Sequence, residues 1–214
     1  TCSVFTESNK IEVDKVAFHV ADTSILLDDW HIRTHIWGRL YSRRLLSKII
    51  LPPSIKIGED TAFNLLLFCS KQNTCVARVT EALYFYFQRE DSIIHTVPHA
   101  GKIDVALFFV EQYTAIKDTD KYGIVLHEIL RNMLAYRYLM SFSGDQDSIR
   151  KTCRSIYAVC KRNWVSSFPV KEKMKYSILY YCPFVYRLFR IITDPTMLDW
   201  ERIEKKRQQE KVER

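Results

Sequence analysis

Ile57-Gly58-Glu59-Asp60-Thr61-Ala62-Phe63 is the stretch whose reading decides the first half of the chain. Two adjacent carboxylates follow a glycine and lead into an apolar run, Leu65 to Cys69. Gly58 can take a positive φ that other residues resist. Asp60 stands where a helix N-cap is expected, its side-chain oxygen available to the free N–H groups of the first turn. The plain structural reading is a capped helix with one neighbouring acid. For an isolated Gly-Glu-Asp that is the commoner outcome, because Asp is a favoured cap.

The flanks add to this. Upstream stands Ile36-Trp37-Gly38-Arg39-Leu40-Tyr41-Ser42-Arg43-Arg44-Leu45-Leu46, then Leu51-Pro52. Downstream stands Thr80-Glu81-Ala82-Leu83-Tyr84-Phe85-Tyr86, then Arg89, Ser92 and His95. In that order and spacing the segments resemble the C-terminal half of the catalytic domain of family 2 glycosyltransferases, the bacterial cell-surface polysaccharide type. That family shows a Trp-x-Lys-Leu-Tyr-Arg-Arg-like segment, a Phe-Pro segment, an acidic pair opening a helix, a Leu-Tyr-x-Tyr strand and an Arg-x-x-Ser-like loop. The ordered set, rather than any one motif, carries the resemblance. Gly38-Arg39 replaces the family's polar-Lys pair, and Phe87-Gln88 intervenes before Arg89.

The resemblance implies an inverting, GT-A type transfer of sugar from a nucleotide-sugar donor to a saccharide or lipid-linked acceptor. It makes Asp60 the base that takes the acceptor proton and Glu59 the group that orients Asp60 or holds the acceptor. A base at a helix N-terminus stays ionised, since the dipole and free N–H groups favour the anion. Arg89, Ser92 and His95 would close over the donor diphosphate, Arg89 pairing with phosphate oxygens. His95 could instead be a metal ligand. All three equally suit a polar surface loop. Trp37 and Tyr41 would wall the acceptor side, or pack in the core. The full enzyme is expected to use a divalent metal, Mg or Mn, with ligands largely outside this chain. Residues 1–29 hold no Asp-x-Asp metal motif, and Asp28-Asp29 falls inside a helical pattern. The donor-binding half is therefore expected to be missing from this chain.

Composition narrows the class. Of 214 residues, 47% are apolar and 27% charged, which suits a folded chain rather than a disordered one. The net charge of +7 is uneven. Residues 1–150 are nearly balanced, whereas residues 151–214 carry 15 Lys and Arg against 7 Asp and Glu. That basic excess, with aromatics such as Tyr176, Tyr180, Phe184 and Trp200 among it, suits an anionic membrane surface or a solvated helix face. No zinc finger, helix-turn-helix or aromatic RNA-binding signature accompanies it, so no nucleic-acid partner is expected. The six cysteines show no Cys-x-x-Cys pair; Cys153 and Cys160 read as small core residues on one helix face. That usage fits a reducing cytosol. No signal peptide and no apolar run of spanning length are read, so a cytoplasmic chain, or one peripheral on the inner face of the membrane, is expected.

The fold expected is α/β: a partial GT-A-type mixed piece over 1–97, followed by an α-helical bundle with a basic tail over 98–214. Residues 11–21, 36–41, 76–79 and 83–87 read as strands or extended chain. Residues 24–30, 43–48 and 61–71 read as helices. Four more helices follow: 103–117, 122–142, 148–163 and 171–192, the last kinked at Pro183. Asp194-Pro195 reads as another helix start. The alternative function is a non-catalytic helical module that docks on membranes or partner proteins.

Overall fold

The computed structural model describes residues 2–6, 16–20, 35–47, 49–51, 55, 57–69, 75–79, 101–116, 122–142, 145–164 and 168–193. Its strands are β1 (Cys2–Thr6), β2 (Val16–Val20), β3 (Arg39–Tyr41) and β4 (Cys75–Val79). Its helices are α1 (Arg43–Leu46), α2 (Glu59–Cys69), α3 (Lys102–Ile116), α4 (Tyr122–Leu139), α5 (Gln146–Arg162), α6 (Val170–Tyr181) and α7 (Pro183–Thr193). A short 3-10 turn, Met140–Phe142, extends α4. The expected helix 24–30, the strand 83–87, the loop 88–98 and the tail from Asp194 lie outside the described residues.

The mixed α/β expectation needs correction: the protein is mainly helical. Of the residues whose side chains are described, 79% are helical, and the only complete strand among them is the three-residue β3. The backbone pairs four short strands in the order β2-β4-β1-β3. β1 runs parallel to β3 and antiparallel to β4, and β2 runs antiparallel to β4. Among the described residues the strands run to only three to five residues each. The apolar residues from Ile103 onward recur at helical spacing, and that pattern dominates the content. β1 is an element the sequence reading did not expect.

The chain forms two compact units, one of Thr1–Thr96 with Thr114–Ile124 and one of Val97–Tyr113 with Val125–Arg214. In the first, α2 buries Thr61, Ala62, Asn64, Leu65 and Leu67, and Leu45 of α1 is buried too. Each fully buried leucine of this kind contributes about 1.5–3 kcal/mol. Ser42 caps α1, its hydroxyl accepting from the Leu45 N–H at 3.4 Å. β3 has a period of two, so Arg39 and Tyr41 share one face. Both are half-buried there, while Leu40 between them is 64% exposed.

In the second unit, α4 is apolar over most of its circumference, and Val125, Leu126, Ile129, Leu130, Met133 and Leu134 are all buried, as its sequence requires. It also buries Glu128 and Asn132. The Arg131 Nε donates to Glu128 at 2.8 Å, so the carboxylate is paired inside the core. α5 starts at Gln146, two residues before the expected position, because Asp145 caps it by accepting from the Ser148 N–H at 3.0 Å. One stripe of α5, including Ile149, Cys153, Ile156 and Cys160, is buried. Tyr157 on the same helix stacks on Tyr180 of α6, centroids 3.8 Å apart. α7 is different: Tyr186 is its one buried side chain.

Candidate functional site

The segment before α2 turns at Gly58, whose φ of 83° lies in the region glycine reaches without strain. The Ala62 N–H donates to the Gly58 carbonyl at 3.0 Å, so the helix opens at Gly58 and not at Asp60. Asp60 is therefore the second residue of the helix rather than its N-cap. Its carboxylate accepts from the backbone N–H of Ile36, in the chain that leads into β3.

That contact draws in the residues around it. Gly38, with φ of 67°, reverses the chain between Trp37 and β3. Asn64 lies one turn along α2 from Asp60 and is fully buried. Its Nδ2 donates to the His35 carbonyl at 3.0 Å, and its Oδ1 accepts from Arg39 at 3.4 Å. The charge of Arg39 also acts on the Tyr41 phenol. The Tyr41 ring packs edge-on to Phe63, centroids 5.2 Å apart. His35 packs edge-on to Trp37 at 4.8 Å, and Trp37 remains 40% exposed. The result is a cluster of Asp60, His35, Arg39, Tyr41 and Asn64 with an indole at its rim.

The electrostatics of Asp60 follow from this setting. Burial pushes its carboxyl above the usual carboxylate range, and the negative charge of Glu59 adds to the rise. The Ile36 N–H, His35 and Arg39 oppose it without cancelling it. The helix terminus, expected to keep Asp60 ionised and weakly basic, is opposed by desolvation, which raises its proton affinity. Burial likewise pushes the Tyr41 phenol up, against the charge of Arg39. A half-buried carboxyl with raised proton affinity can accept a proton from a neighbouring hydroxyl.

Of the residues singled out in the sequence, Asp60, Glu59, Trp37 and Tyr41 fall in this one region. Glu59 is exposed beside Asp60. Arg89, Ser92 and His95 lie outside the described residues. Among the described residues no group of three His, Cys, Asp or Glu side chains could hold a metal ion. Sequence reasoning missed Arg39, His35 and Asn64. Arg39 appeared only as a departure from a motif, and the signal for Asn64 was a lone amide inside the apolar run of α2.

Comparison of the chain with family models, curated proteins and solved structures finds no match. No described helix is long and apolar enough to cross a membrane.

Proposed function

We propose that this chain is part of an inverting glycosyltransferase in which Asp60 takes the proton from the acceptor hydroxyl. The observation that carries the reading is the state of Asp60: half-buried, raised in proton affinity, and held against the chain entering β3. As the hydroxyl oxygen bonds to the anomeric carbon, its proton passes to Asp60 and the nucleoside diphosphate leaves from the opposite face. Glu59 keeps the proton affinity of Asp60 high and offers an exposed acceptor for sugar hydroxyls. Trp37 offers an apolar surface on which a sugar ring can stack. Positive charge for the leaving diphosphate is assigned to Arg89, with Ser92 and His95 beside it, and a Mg or Mn ion in the complete enzyme is part of the same proposal.

The test is transfer from a panel of nucleotide sugars to saccharide and lipid-linked acceptors, using the protein in its complete cellular form. Asp60→Asn should lower kcat about a hundredfold or more with little change in KM, the pattern of a lost transition-state proton transfer. Undiminished turnover in that variant, or no transfer from any donor, refutes the assignment.

A second reading, a module that docks on an anionic membrane surface, draws on α6 and α7. Val170, Met174, Ile178 and Tyr181 leave one stripe of α6 exposed, and Phe184, Leu188, Phe189 and Ile192 do so on α7. Between Val170 and Thr193 there are five basic residues and one acidic. Each cation near an anionic bilayer adds about 1 kcal/mol of attraction. Sedimentation with phosphatidylserine vesicles should deplete the protein from solution, and Phe184→Ser with Ile192→Ser should prevent it. Equal sedimentation of parent and variant rules the reading out.

A further inference from the structure

A cavity of about 370 Å³ opens in the second unit, where the end of α4, the start of α5, the end of α6 and the first turns of α7 meet. Its volume lies at the lower end of the range usual for small-molecule sites. Three arginines line it, one from each of three helices: Arg137 of α4, Arg150 of α5 and Arg187 of α7. None of its lining residues is acidic. Most of the remaining wall is apolar, with Leu134, Ile149 and Leu179 at positions that are buried.

Three like charges around one hollow give it a positive potential that favours an anion. The protein holds one of them firmly. Arg137 donates to the Tyr180 carbonyl at the end of α6, and its guanidinium lies 5.0 Å from the centre of the Tyr180 ring. Arg150 and Arg187 are exposed. Pro183 and Phe184 bring the positive end of α7 to the same hollow, which favours an anion further. The apolar wall asks for hydrocarbon. Phe184 is 71% exposed and carries that apolar character outward along α7 towards Leu188.

We propose that this cavity binds an amphiphilic phosphate: a phosphomonoester head engaged by Arg137, Arg150 and Arg187, with its hydrocarbon chain along Leu134, Ile149 and Leu179. Arginine suits this head because its planar fork meets two phosphate oxygens at once. A dianionic phosphomonoester satisfies three cations better than a single carboxylate does. The site does not depend on the glycosyl-transfer reading, since all of its residues lie in the second unit and Asp60 lies in the first.

The experiment is calorimetric titration of the full chain, with every amphiphile kept below its micelle-forming concentration. Dodecyl phosphate should bind saturably at one site. Inorganic phosphate, which lacks the chain, and dodecyl maltoside, which lacks the charge, should each bind about tenfold more weakly or worse. Equal binding of either control overturns the proposal, and that comparison needs no variant. Arg150→Gln with Arg187→Gln should weaken dodecyl phosphate about tenfold or more and leave dodecyl maltoside unchanged. Undiminished affinity in a folded double variant also overturns it. Competition then separates the two sources of such a ligand. Displacement by phosphatidic acid vesicles supports a bilayer lipid, and persistence of the complex in their presence supports a free amphiphile.

Discussion

Replacing Asn64 should cost stability and loosen the candidate site together. Its side chain is fully buried, and it is the tie between α2 and the chain that carries His35, Arg39 and Tyr41. The bond to the His35 carbonyl, at 3.0 Å, has good neutral geometry and contributes about 1 kcal/mol net. The bond from Arg39 is charge-assisted, but at 3.4 Å it is long and contributes less. Asn64→Ala removes both and leaves a small void, so unfolding should become easier by about 2–3 kcal/mol. Asn64→Asp keeps the shape but turns a donor into an acceptor facing the His35 carbonyl and buries a charge. Arg39 compensates in part, so the loss should equal or exceed that of alanine. Urea unfolding gives these differences directly, with hydrogen exchange at Ile36 and Trp37 reporting the local loosening. A cost below about 0.5 kcal/mol for Asn64→Ala, or unchanged exchange at those amides, would refute the view that Asn64 ties the two segments.

Three further outcomes are expected. The Asp60 carboxyl is raised in the folded state, so the native protein binds its proton more readily than the unfolded chain, and stability falls as pH rises from the ordinary aspartate range through the folded value. Asp60→Asn should then be more stable than the parent at neutral pH, with the advantage shrinking in acid; a constant difference between urea curves at the two conditions contradicts the shift. Tyr186, pushed up to about 12 by burial and packed edge-on to Tyr138, is the one buried side chain of α7. Tyr186→Ala should cost about 3 kcal/mol in urea unfolding, while Ile192→Ser, at an exposed position, should stay within about 0.5 kcal/mol. Burial raises the thiols of Cys153 and Cys160 to about 11 and about 12, and reactivity follows the thiolate. Peptide mapping after mild alkylation of the native protein should find both unmodified and the exposed Cys182 labelled; early labelling of Cys160 would contradict its place in the core.

The helices of the second unit were legible because their pattern is redundant. The stripe of α5 repeats at spacings of three and four over five buried positions, so no single residue decides it. The Pro183 break was legible for a local reason, since proline cannot donate the next helical bond. The sheet was not legible in the same way. A strand of three to five residues offers at most two or three alternations, and β1 pairs with residues far away in sequence, Arg39 and Ala77 among them. Nothing local in Cys2–Thr6 announces those partners. The other three strands, β2, β3 and β4, fall on the segments 11–21, 36–41 and 76–79 whose residue types read as extended, and the resemblance over residues 30 to 96 turned them into a mixed fold where helices dominate.

The site shows the same division at the level of single groups. That Asp60 follows a positive-φ glycine at a helix start could be read from residue types alone. Its proton affinity could not, because two opposing effects act on it and sequence displays only one. The helix terminus, visible in the order Gly-Glu-Asp, favours the anion by roughly 0.3–1 kcal/mol at an exposed position. Burial against the entry to β3 works the other way and prevails, with Glu59 on the same side. The Ile36 N–H limits the rise most, followed by the charges of His35 and Arg39, the last held in place by its hydrogen bond to Asn64. A base for a hydroxyl needs both halves of this arrangement: enough desolvation to want the proton, and enough nearby positive charge to remain ionised until the hydroxyl arrives.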